Sequence, residues 1–167
     1  ELISAGNNVR DSWAIEVNVL ATLAPSALVG QMCIDILVGG ATDDVLISSL
    51  IVGGSYVTAY RSYLFPLHIP AGVRIAARIS AGAAQTTEPR VLCYLYGGGV
   101  PPFKVGRKVT TYGTKIDNSR GQSVTPAASG GAASATQMTA STTEDHHYFL
   151  PGYQVSTDTT IATATFT

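Results

Sequence analysis

The residues able to carry chemistry are few. The chain has three histidines, two cysteines and eleven acids in 167 residues. Charged residues make up 13%, about half the usual share. His68 sits between Leu67 and Ile69 and reads as a packed residue. His146 and His147 follow Glu144 and Asp145, a superficial metal cluster. Neighbours on a strand point to opposite faces, so the two imidazoles would not chelate together there; a loop would allow it. A solvated turn is the reading taken. Cys33 and Cys93 read as two buried thiols, although a sandwich could bring them face to face. There is no phosphate-binding loop, nucleophile elbow or H-E-x-x-H. A glycosidase needs two carboxylates in one cleft, and the acids here are scattered. The expectation is a protein that is not an enzyme and needs no cofactor.

Aromatic side chains offer a different kind of chemistry. There are eight tyrosines and one tryptophan. Tyr56, Tyr60 and Tyr63 bracket one segment, and Tyr94 and Tyr96 end another. Tyrosine rings stack on sugars, so Tyr56, Tyr60 and Tyr63 are the candidate glycan-stacking residues. The competing reading is that they are core or interface tyrosines. Asp43 and Asp44 are the carboxylates that a calcium-holding carbohydrate module would use.

The elements that must position these residues are strands. From Trp13 to Val19, Trp13, Ile15, Val17 and Val19 fall on one face, and Glu16 and Asn18 on the other. Met32 to Val38 repeats the alternation and stops at Gly39-Gly40. Val45 to Val52, Tyr56 to Tyr63, Val73 to Ser80 and Val91 to Tyr96 complete six short strands. Turn residues separate them, and no long amphipathic helix is visible. This predicts an all-β fold, an antiparallel β-sandwich of jelly-roll-like type. The expected core is Trp13, Ile15, Val17, Ile34, Ile36, Ile75 and Ile79. Pro66 and Pro70 forbid a helix or a central strand at Leu64 to Gly72, so that segment enters the core and turns into the next strand.

Residues 1–99 are expected to form the sandwich domain. Gly97 to Gly99 with Pro101-Pro102 marks a Gly/Pro hinge over 100–106. Residues 107–167 read as an extended, strand-containing arm or an incomplete second β unit. Leu2 to Ala5 followed by Trp13 echoes Gln137 to Ala140 followed by Tyr148, which suggests a truncated repeat. The strand-prone tail, with Thr160, Ile161 and Phe166, is the candidate assembly arm. The chain begins at Glu1 without a Met, and is expected to be processed or part of something longer. A net charge of −1 argues against a nucleic-acid partner, and no apolar run is long enough to cross a membrane as a helix. Residues 1–60 carry one base against six acids, 61–120 nine bases against two acids, and 121–167 three acids alone. Such blocks suit subunits that meet acid to base, unless the strands interleave and mix the charges.

The stretch Leu64-Phe65-Pro66-Leu67-His68-Ile69-Pro70-Ala71-Gly72-Val73-Arg74-Ile75-Ala76-Ala77-Arg78 resembles a segment of tailed-bacteriophage virion proteins. Cys33 to Ala41, Val45-Leu46-Ile47 and the ending Tyr94-Leu95-Tyr96-Gly97 are similar to the same tandem β-sandwich unit. The resemblance covers about residues 1–99 and carries over no catalytic residue. It implies a structural virion protein located in the virion: a fibre, tail, collar or capsid-decorating subunit. Its partners would be other virion proteins and copies of itself. A carbohydrate- or receptor-binding module, with a host-surface glycan as partner, is the alternative.

Overall fold

The computed structural model describes residues 1–21, 32–40, 42–52, 59–81, 90–101, 103–113, 135, 137–142, 144–146, 148–149 and 151. Six strands follow in order: β1 (Ser12–Ala21), β2 (Met32–Gly39), β3 (Asp43–Val52), β4 (Ala59–Phe65), β5 (Arg74–Ala81) and β6 (Arg90–Gly97). No helix occurs among the described residues. The strands build two three-stranded antiparallel sheets, ordered β4-β1-β6 and β3-β2-β5. Only β2 and β3 are joined as a hairpin within one sheet; every other connection passes from one sheet to the other.

Alternation decides what each sheet buries. Ile15, Val17 and Val19 of β1 meet Ile34 and Ile36 of β2 in one core, joined by Leu46, Ile47, Leu50, Phe65, Leu67, Ile69 and Ile75. This is the all-β sandwich expected from the period-two pattern. Of the expected core, Ile15, Val17, Ile34, Ile36 and Ile75 are wholly buried.

Two expected core residues are not. Trp13 is half-buried, because the β1–β6 register shifts between Ser12 and Ala14 and takes it out of phase with Ile15. Its ring lies against Tyr96 and Phe103 instead. Ile79 sits on the core side of β5 opposite Ile34, but near the end of an edge strand, and is 39% exposed.

β3 carries two irregularities against β2. They allow the consecutive Leu46 and Ile47 both to be buried, which strict alternation would forbid. Asp35 stabilises this bulged stretch. Its carboxylate accepts the Ser49 N–H at 2.8 Å, where Ser49 has a φ of 49°, and receives Arg78 at 2.7 Å. Asn8, also buried, donates to the carbonyls of Pro70 and Val73 and so fixes the turn into β5.

The run after β6 is a shaped turn. A Cβ on Gly97 would collide with the Asp11 carbonyl, and Gly98 has a φ of 88°. The chain then returns to the sandwich. Gly106 donates to the Pro66 carbonyl at 2.8 Å and accepts from His68 N–H at 2.9 Å. Val109 pairs in parallel with β3, through Leu46 and Ser48, and its side chain packs on the core. Thus Gly106, at the end of the expected 100–106 spacer, and Val109, near the start of the expected arm, are each bridged to the sandwich. On the other sheet edge, Leu2 and Ile3 bond to Ile75. The expected echo of this entry, Gln137 to Ala140, makes no ladder pairing among the described residues.

Candidate functional site

The outer face of β4-β1-β6 is where the molecule departs from an ordinary solvated surface. Register places Tyr60, Ser62 and Leu64 of β4 opposite Leu20, Asn18 and Glu16 of β1. On the other side of β1, Arg90, Leu92, Tyr94 and Tyr96 of β6 stand opposite Leu20, Asn18, Glu16 and Ala14. The face therefore has two ridges flanking a low middle strand. Tyr60 and Leu64 are each 59% exposed, Tyr94 54% and Leu92 47%, whereas Ala14 and Asn18 beneath them are buried. Trp13 and Phe103, at 5.4 Å and edge to face, extend the aromatic surface beyond Tyr96.

A polar network runs along the floor. The Glu16 carboxylate accepts from Ser62 Oγ at 2.6 Å, from the Tyr96 hydroxyl, and from Asn18 Nδ2 at 3.1 Å. Asn18 Oδ1 in turn accepts the Tyr60 hydroxyl. These donors, Ser62 first and then Tyr96 and Asn18, hold the Glu16 carboxyl below its ordinary range. The bond to Glu16 pushes the Tyr96 phenol up. A carboxylate kept ionised by three donors is a poor proton donor, and among the described residues no second carboxylate lies on the face to pair with it. What it offers is rigid aromatic and aliphatic surface whose polar groups are largely satisfied by one another.

The other sheet's outer face is finished differently. Arg78 pairs with Asp35, Arg74 with Asp43, and the Ser80 hydroxyl donates to the Cys33 carbonyl. Cys33, Leu37 and Ala76 are buried among them.

The structure separates the candidate residues. Tyr60 lies on the outer face, but Tyr63 is on the core side, stacked on Phe65 at 6.4 Å, and burial raises its pKa. They cannot form one glycan platform; three residues apart on a strand means opposite faces. Tyr56, Thr160, Ile161 and Phe166 lie outside the described residues. The residues that do join Tyr60 are Tyr94 and Tyr96, whose two-residue spacing already signalled a common face, and Leu64 and Leu92. Only the pairing register could have found that set.

Asp43 is engaged by Arg74, and no group of three or more potential metal ligands occurs among the described residues. His68 is exposed rather than packed, 3.8 Å from Asp11. His146 meets Tyr112 at 3.0 Å beside the Lys108–Glu144 ion pair. Thr110 and Lys108 hold the Glu144 carboxyl below its ordinary range. His147 lies outside the described residues. Cys33 is on the outer side of one sheet and Cys93 on the core side of the other, opposite Val17, so they do not face each other. Burial raises the Cys93 thiol to about 11.

No protein-family model, curated protein or solved structure matches the chain. Its class is therefore defined by the geometry alone: an all-β, sandwich-like protein whose β4-β1-β6 outer face exposes tyrosine and leucine side chains around a polar network.

Proposed function

We propose that the chain is a non-enzymatic structural subunit of a bacteriophage virion, a fibre, tail, collar or capsid-decorating component. The observation that carries the assembly role is the exposed Tyr60, Leu64, Leu92, Tyr94 and Tyr96 on one sheet face. Exposed rings and leucines grouped on one sheet face are the mark of a surface that meets another protein. The phage setting rests on the resemblance of residues 64–78, 33–47 and 94–97 to virion β-sandwich units. The topology supports the jelly-roll-like reading: β1 pairs with β6 and β2 with β5, as when an antiparallel ribbon is rolled up on itself. In this proposal the partners are other virion proteins and copies of the chain, and the tail with Thr160, Ile161 and Phe166 is an assembly arm.

The same face supports a second reading, a carbohydrate- or receptor-binding module, because Tyr60, Tyr94 and Tyr96 present their rings. The hydroxyls of Tyr60 and Tyr96 already donate to Asn18 and Glu16, which leaves fewer donors for sugar hydroxyls and favours a protein partner. The test is incorporation of Tyr94→Lys into particles. We expect incorporation to be lost while the fold, read by circular dichroism, is retained. If Tyr94→Lys assembles like the parent while Tyr94→Ala abolishes binding to a glycan panel, the carbohydrate reading replaces this one. A second arm of the test removes residues 152–167, leaving the β3 edge pairing at Val109 intact; unchanged incorporation would remove the assembly role of the tail.

A further inference from the structure

We infer that the outer face of β4-β1-β6 is an isologous contact between two copies of this chain. The twofold axis would cross the strands at the row of Ser62, Asn18 and Leu92. The inference rests on the assembly reading and names the partner for the face.

Charge selects a second copy. Among the described residues, the ionised side chains of the face are Glu16 and Arg90, one of each sign, so their charges balance. Glu16 is already held by three donors, and Arg90 makes no ion pair among the described residues. A twofold axis along β1 would set Glu16 over its own copy. An axis across the strands at the Asn18 row avoids this. It maps the row of Glu16, Leu64 and Tyr94 onto the row of Leu20, Tyr60 and Arg90. Each Arg90 then lies over the partner copy's Tyr94, a cation–π pairing made twice. Each Tyr60 lies over a Leu64, and the two Leu92 side chains meet at the axis. The two Glu16 carboxylates end about 14 Å apart along the strands, at roughly 3.4 Å of rise per residue. The axis keeps β4 over β4 and β6 over β6, so the copies meet ridge on ridge, and the two low middle strands leave a channel in which Glu16 keeps its three donors.

The area suits a weak dimer. At roughly 200 Å² for a whole aromatic side chain, the exposed parts of Tyr60 and Tyr94 amount to about 230 Å². Leu64, Leu92, Arg90 and Ser62 bring the contact to on the order of 500 Å² per copy, about 1,000 Å² in all, the low end for a specific interface. Among the described residues, the outer face of β3-β2-β5 exposes Val45 as its one large apolar side chain, beside the Arg74–Asp43 and Arg78–Asp35 ion pairs.

The experiment is sedimentation velocity on the full chain up to about 100 µM, beyond the micromolar weak end of standard-size interfaces. A dimer is expected. Leu92→Lys sets two like charges at the axis and should weaken dimerisation at least about tenfold, with circular dichroism unchanged. Leu92→Cys should be linked to its own copy by a short bis-maleimide, and Val45→Cys, on the other sheet, should not. A monomer at the highest concentration, or a dimer indifferent to Leu92→Lys, overturns the inference. If the chain is monomeric alone but Leu92→Lys still abolishes incorporation into particles, the self-contact falls and the assembly reading stands. If neither is affected, both fall.

Discussion

Replacing Trp13 and Ile36 by alanine, one at a time, tests the register on which the fold and the site both depend. In sequence, Trp13 looks like the largest core anchor of β1, and loss of a buried Trp costs about 3–5 kcal/mol. The structure reverses that ranking. Trp13 is half-buried, and its indole N–H reaches the Gly98 carbonyl only at 3.4 Å, a weak bond. Its main contacts are one edge-to-face ring, Phe103, and one tilted ring, Tyr96. At about 0.5–1.5 kcal/mol per aromatic pair, Trp13→Ala should cost about 1–2 kcal/mol. Ile36 is wholly buried on the central strand of its sheet. There Ile→Ala leaves a cavity that central strands cannot collapse around, and should cost about 3–4 kcal/mol. That is a large part of the roughly 5–15 kcal/mol of a typical domain. Urea denaturation followed by circular dichroism measures both. Ile36→Ala should lower the midpoint by about 1.5 M or more with the slope unchanged. If Trp13→Ala costs as much as Ile36→Ala, the bulge between Ser12 and Ala14 is wrong, and the outer-face assignment of Tyr96 goes with it.

Three further outcomes are expected. Asp35→Ala should destabilise by about 1–3 kcal/mol in the same urea assay, because it strips the acceptor from the Ser49 N–H and from Arg78; a change within error would mean that the bulge is held by packing alone. Glu16 has a folded pKa below the ordinary value near 4.5, so its contribution is full above that pH and is lost as the pH falls through the lower, folded value. Melting temperature should accordingly fall less steeply in acid for Glu16→Gln than for the parent, and parallel curves would contradict the network. Cys93, raised to about 11, should react with a thiol reagent at pH about 8 on the order of a hundredfold more slowly than in the urea-unfolded chain; equal rates would place it at the surface.

The strands were legible because period-two alternation is a local signal. Ile15, Val17 and Val19 against Glu16 and Asn18 can be read without knowing any partner. Pairing was not legible, since nothing local tells β1 to lie between β4 and β6. The bulges were hidden for the same reason: Leu46-Ile47 looks like one residue in and one out until β2 is set beside it. Gly97 to Gly99 reads as a flexible hinge in composition, but the close approach of Asp11 gives it a structural task. The site was half legible. Tyr60 was a candidate from the start, and the spacing of Tyr94 and Tyr96 put those two on one face. Grouping Tyr60 with Tyr63 ignored the same period that had located the strands.

The two sheets make a comparison within one molecule. Both are three-stranded and antiparallel, both bury one side in the same core, and both turn the other side outward. Outward positions cost a folded monomer little whichever polar residue fills them. On β3-β2-β5 they hold Asp35, Arg74, Arg78 and Ser80, whose ion pairs cross the strands, with Cys33, Leu37 and Ala76 buried among them and Val45 partly exposed. The edges of that sheet are also occupied, by Ile3 on β5 and Val109 on β3. On β4-β1-β6 the outward positions hold Tyr60, Leu64, Leu92, Tyr94 and Tyr96, and the polar residues among them bond inward to Glu16 and Asn18. Cross-strand ion pairs finish one outer face, and the other is left with exposed rings and leucines; in the proposed assembly, that second face is the one that meets another surface.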